Sequence, residues 1–179
     1  HLAALMGDQG VIVALDTNRR RLVSLTESCV RLGIKSISPV TADASKGLSG
    51  LFSAAFDRIL IDAPCSGLGT LSRHPDGKWR RREKDIKRLV RLQREILRQA
   101  APCLRKGGRM LYVTCTLSKE ENEDTIRSSL QQNPSLALAD LRDRIPDWGA
   151  ALVDDQGFLR TLPQRDRMDG FFAALLTIR

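Results

Sequence analysis

Short apolar segments alternate with longer amphipathic segments along this chain, and this alternation constrains the fold more than any other feature. The apolar segments lie at 11–15, 36–41, 58–61, 109–113 and 171–178, and the first of them is a β-branched run. The segments between them carry apolar residues at the three- and four-residue spacing of helices with one buried face. Strands that alternate with helices predict an α/β fold, with a mostly parallel sheet covered by helices on both faces.

Local signals predict where the helices begin and end. Asn18 can cap a helix whose end is marked by Gly33. A long helix is predicted over 83–104. Ser118 is followed three residues later by Glu121, a capping box that predicts a further helix beginning near Ser118.

Length and cysteine usage indicate one domain in a reducing compartment. The chain has 179 residues, which suits a single domain of ordinary size. No apolar run approaches the ~20 residues of a membrane helix, and we identify no signal peptide. The cysteine spacing matches neither paired zinc ligands nor a disulfide framework, so we assign no metal and expect a cytoplasmic protein. We also expect a monomer. The four cysteines are residues 29, 65, 103 and 115.

Positive charge is concentrated in the middle of the chain. The formal net charge is +8, and segment 73–109 holds 14 Lys and Arg residues against 4 Asp and Glu residues. A concentrated basic surface favours a polyanionic partner, of which nucleic acid is the first candidate. A solvated helix face with excess arginine explains the same charges, and charge alone does not separate the two explanations.

Three carboxylates stand at or just past the ends of predicted strands, namely Asp16, Asp43 and Asp62. In parallel sheets, ligands bind outside the carboxyl ends of the strands. Asp16 can accept the hydroxyl protons of a ribose, whether of a nicotinamide nucleotide or of S-adenosylmethionine, and Asp43 can accept a hydrogen bond from an amine such as that of adenine. Each of them alone is better explained as a turn former or a helix cap, but three of them near a cysteine favour a site.

Two of the cysteines lie in strand-end loops. The loop Asp-Ala-Pro-Cys-Ser-Gly over 62–67 places Cys65 directly after a buried strand, and Cys115 leaves the next strand in Val-Thr-Cys-Thr. Because strands of one sheet can share an edge, we expect Cys65 and Cys115 to meet in one cleft. Cys29 and Cys103 lie on predicted helical faces and are interpreted as small buried apolar residues.

A series of short motifs resembles, in order and along the whole of 1–179, the Sun (Fmu) family of bacterial RNA 5-methylcytosine methyltransferases, which act on small-subunit ribosomal RNA. Each motif is short, but together they are highly specific. They are Asp62 to Gly67, Arg73-His74-Pro75-Asp76 with Lys78-Trp79, Thr114-Cys115, Glu120-Glu121-Asn122 and Asp169-Gly170-Phe171-Phe172.

The resemblance implies a Rossmann-like class I methyltransferase sheet with an antiparallel last strand, S-adenosylmethionine as cofactor and ribosomal RNA as partner. It assigns the nucleophile to Cys115 and a role in later steps to Cys65. The cofactor-binding carboxylates of the family correspond to Asp16, Asp43 and Asp62. Asp62 is also a candidate catalytic residue, since it can hydrogen-bond the amino edge of the cytosine as charge develops on the ring.

The loop after the Pro-Cys motif is predicted to approach the RNA. Only a single-stranded or flipped cytosine exposes carbon 6 to attack. For Trp79 we favour packing within the loop over stacking on a base. The basic residues predicted to contact phosphates are Arg73, Lys78, Arg80, Arg81 and Arg82.

The start of the chain departs from the family pattern. Segment 1–6 resembles the helix that follows the Gly-rich cofactor loop of the family. We therefore expect a fragment of the catalytic domain, without its first strand and Gly-rich loop, that binds cofactor poorly on its own.

Other interpretations remain open at this level. Cys65 is an alternative nucleophile, because DNA cytosine-5 enzymes use a Pro-Cys thiol. A non-catalytic RNA-binding fragment explains the basic segment. A nicotinamide-dependent Rossmann enzyme explains Asp16 but leaves both strand-end cysteines without a role.

Overall fold

The structure is a computed structural model that describes residues 1–178, apart from the side chain of Arg80. Its elements fall into two compact units, of which the first comprises His1–Gly47 and the second begins at Leu48. Helices and strands alternate in both units, as the sequence pattern predicts.

The first unit is built on two parallel strands, in which Asp16 lies opposite Thr41. Asn18 accepts hydrogen bonds from two backbone N–H groups of the first turn of α2, and Gly33 ends that helix with a φ of 68°. Both predicted helix ends are therefore confirmed. The elements are α1 (Leu2–Leu5), β1 (Ile12–Asp16), α2 (Arg19–Leu32) and β2 (Ile37–Thr41).

The second unit holds the remaining strands and the longest helix. Its strands are β3 (Phe56–Asp62), β4 (Leu104–Thr114), β5 (Leu136–Ala139), β6 (Leu159–Thr161) and β7 (Phe171–Ile178). Its helices are α3 (Leu48–Leu51), α4 (Gly77–Arg80), α5 (Glu83–Ala100), α6 (Glu123–Gln132), α7 (Asp147–Ala150) and α8 (Pro163–Asp166).

The five strands of this unit form one sheet in the order β3-β4-β7-β5, and β6 pairs with β7. β3 and β4 are parallel, whereas β7 runs antiparallel to β4, β5 and β6. The sheet is therefore mostly parallel with an antiparallel last strand, as the resemblance implies.

Both faces of this sheet are covered. Successive side chains of a strand point to opposite faces. Along β7, Phe172, Ala174 and Leu176 are fully buried on one face, while Ala173 and Leu175 pack on the other against Leu141. This burial on both faces explains why 171–178 reads as a continuous apolar run.

Helix α5 presents its apolar side to the core and most of its basic residues to solvent. It ends at Ala100, where a short 3-10 turn over Ala101–Cys103 begins, and β4 starts at Leu104. The predicted end at 104 was wrong because Pro102 lacks the N–H that a continuing helix requires. Among residues 1–178, we find no helix that is both long and apolar enough to cross a membrane.

The helix predicted to begin near Ser118 begins instead at Glu123, with Asn122 at its N-cap position. The Ser118 hydroxyl does accept a hydrogen bond from the backbone N–H of Glu121, at 3.4 Å. The Glu121 carboxylate, however, accepts hydrogen bonds from Ser66 and Gln93. Tertiary contacts therefore override the local capping signal.

Candidate active site

The carboxyl ends of β3 and β4 lie side by side, because the two strands are parallel and Asp62 pairs with Val113. The chain that leaves β3 carries Cys65, and the chain that leaves β4 carries Cys115. The two Sγ atoms are 3.3 Å apart. The structure thus brings together the two cysteines singled out by the sequence, while Cys29 and Cys103 are buried, as predicted.

The two thiols differ in acidity because one donates a hydrogen bond to the other. The Cys65 thiol donates to the Cys115 sulfur, which lowers the pKa of Cys115 to about 7, while burial and the negative charge of Asp62 oppose this effect. The same hydrogen bond, with burial, raises the pKa of Cys65. A thiolate is therefore populated on Cys115 near neutral pH, and Cys65 stays protonated.

Two glycines allow the backbone to close around Cys115. The N–H of Gly69 donates to the carbonyl of Cys115 at 3.0 Å, and the N–H of Gly170 donates to the carbonyl of Gly69 at 2.7 Å. A Cβ on Gly69 would lie 1.9 Å from the carbonyl oxygen of Gly170. The glycine is required by this close approach, which joins the Cys115 loop to the segment before β7.

Asp62 is the last residue of β3, and its side chain is exposed to solvent. It lies close enough for its charge to raise the pKa of Cys115. An exposed carboxylate beside a thiolate is available to accept hydrogen bonds from a ligand that reaches the sulfur.

Next to the two cysteine loops lies a buried carboxylate, Glu121, for which the sequence predicted no role in the site. Glu121 is fully buried and accepts hydrogen bonds from Ser66, Thr116 and Gln93. The capping-box spacing and the motif Glu120-Glu121-Asn122 single it out in the sequence, but neither indicates its bonds to Ser66 and Gln93, which are distant in the chain.

The loop predicted to contact RNA is only partly free for that role. The Arg73 guanidinium pairs with Asp169, with 2.6 Å between Nε and Oδ2. Arg81 donates from Nε to the carbonyl of Ser66 at 2.8 Å, so it braces the Cys65 loop. Arg82 is exposed, and the side chain of Arg80 lies outside the described part of the structure.

Trp79 was predicted to pack within this loop, and that prediction was wrong. Its side chain is 82% exposed. The Lys78 ammonium lies 5.3 Å from the centre of the indole ring. The aromatic face is held beside a cation at the surface rather than in the core.

In the first unit, Asp16 is the last residue of β1, and Asp43 follows the neighbouring parallel strand β2. Asp16 accepts a hydrogen bond from the N–H of Asn18 at 2.7 Å. Asp43 accepts from the N–H and the hydroxyl of Ser45, which hold the pKa of this carboxyl below its usual value. Both residues shape their turns, as the simpler interpretation of a strand-end Asp predicts.

These two carboxylates also fit a nucleoside cofactor. The side chains of Asp16 and Asp43 remain 30% and 38% exposed, respectively. In each, the second carboxylate oxygen lies 3.4 Å or more from a surface cation, which is Arg21 for Asp16 and Lys46 for Asp43. Lone pairs therefore remain for hydroxyl or amine donors.

The family model described as 16S rRNA methyltransferase RsmB/F matches residues 1–177. The chain belongs to this family. Its RsmB/F membership confirms the resemblance to Sun-type methyltransferases found in the motifs.

Individual relatives and solved structures match nearly the whole chain. Ribosomal RNA small subunit methyltransferase B of Salmonella paratyphi B is 39% identical over 165 residues, which cover 92% of this chain and 36% of that protein. The crystal structure of PH0851 has a TM-score of 0.89 at 38% identity and covers 99% of this chain and 39% of its own. The crystal structure of NSun6 from Pyrococcus horikoshii with SFG has a TM-score of 0.83 at 35% identity. It covers 99% of this chain and 44% of its own.

The chain spans well under half the length of the curated relatives that it matches, between 36% and 39% for the first three. The matched part carries the fold of S-adenosylmethionine-dependent methyltransferases, as the structural neighbours show.

Proposed function

We propose that the protein transfers a methyl group from S-adenosylmethionine to carbon 5 of a cytosine in RNA, within small-subunit ribosomal RNA, through a covalent adduct with Cys115. The observation that carries this proposal is the thiol pair at the carboxyl ends of β3 and β4, with 3.3 Å between the Sγ atoms. A thiolate in such a position suits nucleophilic catalysis.

The chemistry needs a nucleophile because carbon 5 of cytosine reacts poorly by itself. The Cys115 thiolate adds to carbon 6, and the electron density that this addition places on carbon 5 would form the bond to the methyl group, while the S–CH3 bond of the sulfonium donor would break and leave its electron pair on sulfur. A base then removes the proton from carbon 5, and the electrons of that C–H bond expel the Cys115 thiolate. S-adenosylmethionine supplies an electrophilic methyl group when it is bound.

The neighbouring residues divide the other tasks. Cys65 keeps a proton next to Cys115 and assists removal of the carbon 5 proton or release of the product. Asp62, exposed at the end of β3, accepts a hydrogen bond from the amino edge of the cytosine. Asp16 and Asp43 accept hydrogen bonds from the ribose hydroxyls and the adenine amine of the cofactor, for which Asp62 is a third candidate carboxylate.

Two comparisons support the cofactor and the substrate. The structure of NSun6 from Pyrococcus horikoshii contains SFG, an analogue of S-adenosylmethionine. The Salmonella paratyphi B relative is named for methylation of small-subunit ribosomal RNA. The exposed Arg82, with Arg73, Lys78, Arg80 and Arg81, gives this chain cations for RNA phosphates.

Trapping tests the proposal directly. In RNA that carries 5-fluorocytosine, the fluorine on carbon 5 blocks the elimination step, so the thiolate adduct persists. We expect the protein, supplied with S-adenosylmethionine, to become covalently linked to this RNA, and peptide mapping to locate the link at Cys115. A link at Cys65 would assign the nucleophile to the Pro-Cys loop instead, and no link at either thiol would contradict covalent catalysis.

A non-catalytic RNA-binding role is the second candidate, favoured by the exposed basic face of α5. Calorimetric titration with S-adenosylmethionine separates the two, because only the enzyme requires the cofactor. A nicotinamide-dependent enzyme would leave the paired thiols without a role.

A further inference from the structure

We propose that Glu121 is a positioning residue, whose buried carboxylate ties the Cys65 loop to the Cys115 loop and so sets the distance between the two thiols. The importance of this distance for catalysis rests on the proposed function. Its structural content is independent of RNA and cofactor.

The carboxylate bridges the residues that follow the two cysteines. Its Oε1 accepts from the backbone N–H of Ser66 at 2.9 Å, and its Oε2 accepts from the Ser66 hydroxyl at 2.5 Å and from the Thr116 hydroxyl at 3.2 Å. The Ser66 and Thr116 hydroxyls also contact each other at 2.6 Å. Both cysteine loops therefore hydrogen-bond to one side chain, each at the residue next to its cysteine.

The bridge is itself anchored to a helix and a strand. Gln93 of α5 donates from Nε2 to Glu121 Oε1 and to the carbonyl of Pro64, both at 2.9 Å. The hydroxyl of Tyr112 in β4 donates to the backbone carbonyl of Glu121 at 2.8 Å. The Cys65 loop is thus held on both sides of the cysteine, at Pro64 and at Ser66.

The burial of Glu121 requires these contacts. The side chain is fully buried, and the donors to its carboxylate are a backbone amide, two hydroxyls and a side-chain amide, all neutral. Burying a carboxylate is costly unless its oxygens are hydrogen-bonded. Such a group favours one arrangement of its partners over all looser ones, because every looser arrangement leaves lone pairs unsatisfied.

The carboxylate acts on Cys115 in two opposite ways. By holding the loops together, it preserves the hydrogen bond from Cys65, the largest influence on the pKa of Cys115 and one that lowers it. By its charge, it raises the pKa of Cys115, a weaker effect. Removing the side chain should therefore raise the pKa of Cys115, whereas removing the charge alone should lower it slightly.

The experiment measures how the alkylation rate of Cys115 by iodoacetamide depends on pH, with the site identified by peptide mass spectrometry. In Glu121→Ala we expect the midpoint of the pH profile, which reports the pKa of Cys115, to move to higher pH. The alkylation rate near neutral pH should then fall roughly tenfold, because the thiol approaches its ordinary pKa. In Glu121→Gln, whose amide can keep hydrogen bonds to the same partners, we expect no upward shift. Glu120→Ala is the matched control, since Glu120 is the exposed neighbour of Glu121, and it should leave the profile unchanged.

Repeating the substitution in the Cys65→Ala variant distinguishes a positioning role of Glu121 from a general loss of structure. In Cys65→Ala the donor to Cys115 is already gone, so adding Glu121→Ala should raise the midpoint no further. An equal upward shift in both backgrounds, or a wild-type profile in Glu121→Ala, would overturn the proposal.

If circular dichroism shows that Glu121→Ala does not fold, the Thr116→Val variant tests the positioning role of Glu121 instead. It removes the hydroxyl that bonds to the carboxylate, together with the contacts of that hydroxyl to Ser66 and to the N–H of Ser118, while keeping the shape of the side chain. A smaller upward shift in the pKa of Cys115 is expected. An unchanged profile in Thr116→Val would count against the proposal. Alkylation needs neither RNA nor cofactor, so this result stands apart from the outcome of the 5-fluorocytosine trap.

Discussion

The Sγ atoms of Cys65 and Cys115 lie 3.3 Å apart, although 50 positions separate the two residues in the chain. The hydrogen bond from Cys65 makes Cys115 the more acidic of the two, and the parallel pairing of β3 with β4 makes that bond possible.

The first prediction concerns the nucleophile. Cys115→Ala should abolish both methyl transfer and the covalent adduct with 5-fluorocytosine RNA, because no thiolate then adds to carbon 6. Incorporation of a radiolabelled methyl group and gel analysis of the adduct measure the two effects. Cys29→Ala is the control, since Cys29 is a buried packing residue of the first unit and its loss should leave turnover intact.

The second prediction is a change of pH dependence in Cys65→Ala. The missing donor raises the pKa of Cys115 from about 7 toward an ordinary thiol value. The thiolate fraction is then reduced below the new pKa and recovers above it, so adduct formation should be roughly tenfold slower near neutral pH and nearly normal above about pH 9. Single-turnover rates across this range provide the test, and a uniform loss at every pH would argue for a different role of Cys65.

The third prediction concerns the backbone contact beside Cys115. Gly69→Ala places a Cβ 1.9 Å from the Gly170 carbonyl oxygen, so the two segments must separate. We expect a loss of about 1–3 kcal/mol in the free energy of unfolding, by analogy with overpacked cores, and a lower melting temperature in thermal denaturation. Gly50→Ala is the control, because a Cβ there meets nothing within 4 Å. Equal stability of the two variants would rule out a tight contact at Gly69.

The fourth prediction tests the cofactor role of Asp43. Asp43→Asn keeps an oxygen to accept from Ser45 but removes the charge, so the turn should survive while S-adenosylmethionine binds more weakly. We expect the Kd measured by calorimetry to rise by about tenfold, the effect of losing one charge-assisted hydrogen bond. Asp155→Asn, an exposed carboxylate of the second unit, serves as control. An unchanged Kd in Asp43→Asn would remove this residue from the cofactor site.

The fifth prediction concerns RNA docking. If the five cations from Arg73 to Arg82 contact phosphates, the Kd for single-stranded RNA should rise by about a hundredfold between about 50 and about 200 mM salt. Arg82→Ala should weaken binding and flatten this salt dependence. Arg105→Ala, at the opposite end of β4 from Cys115 and paired with Asp57, is the matched control and should bind like the wild type. A flat response to salt in the wild type would refute docking through this segment.

Local signals account for the parts of the fold that were predicted well. Asn18 and Gly33 mark the ends of α2 because capping involves only backbone groups within a few residues. The apolar run that forms β7 is visible because both faces of that strand are buried. The resemblance of the motifs to a methyltransferase family is likewise a property of the chain alone.

The errors arose where distant groups compete for the same side chain. Glu121 has the spacing of a capping residue, yet its carboxylate is bound by Ser66, 55 positions away, and by Gln93, 28 positions away. Trp79 is a large aromatic residue of the kind that usually packs in a core, but its side chain is exposed.

The sequence by itself determined the alternation of strands and helices, the placement of Cys65 and Cys115 after strands, and the family to which the chain belongs. These follow from short-range periodicity and from motifs that need no partner. Only the tertiary structure decided that the two thiols share a hydrogen bond, that Cys115 is the more acidic, and that a buried carboxylate joins their loops. The physical reason is that acidity and loop position depend on distances between atoms, and strand pairing and burial set those distances between residues that the chain keeps far apart.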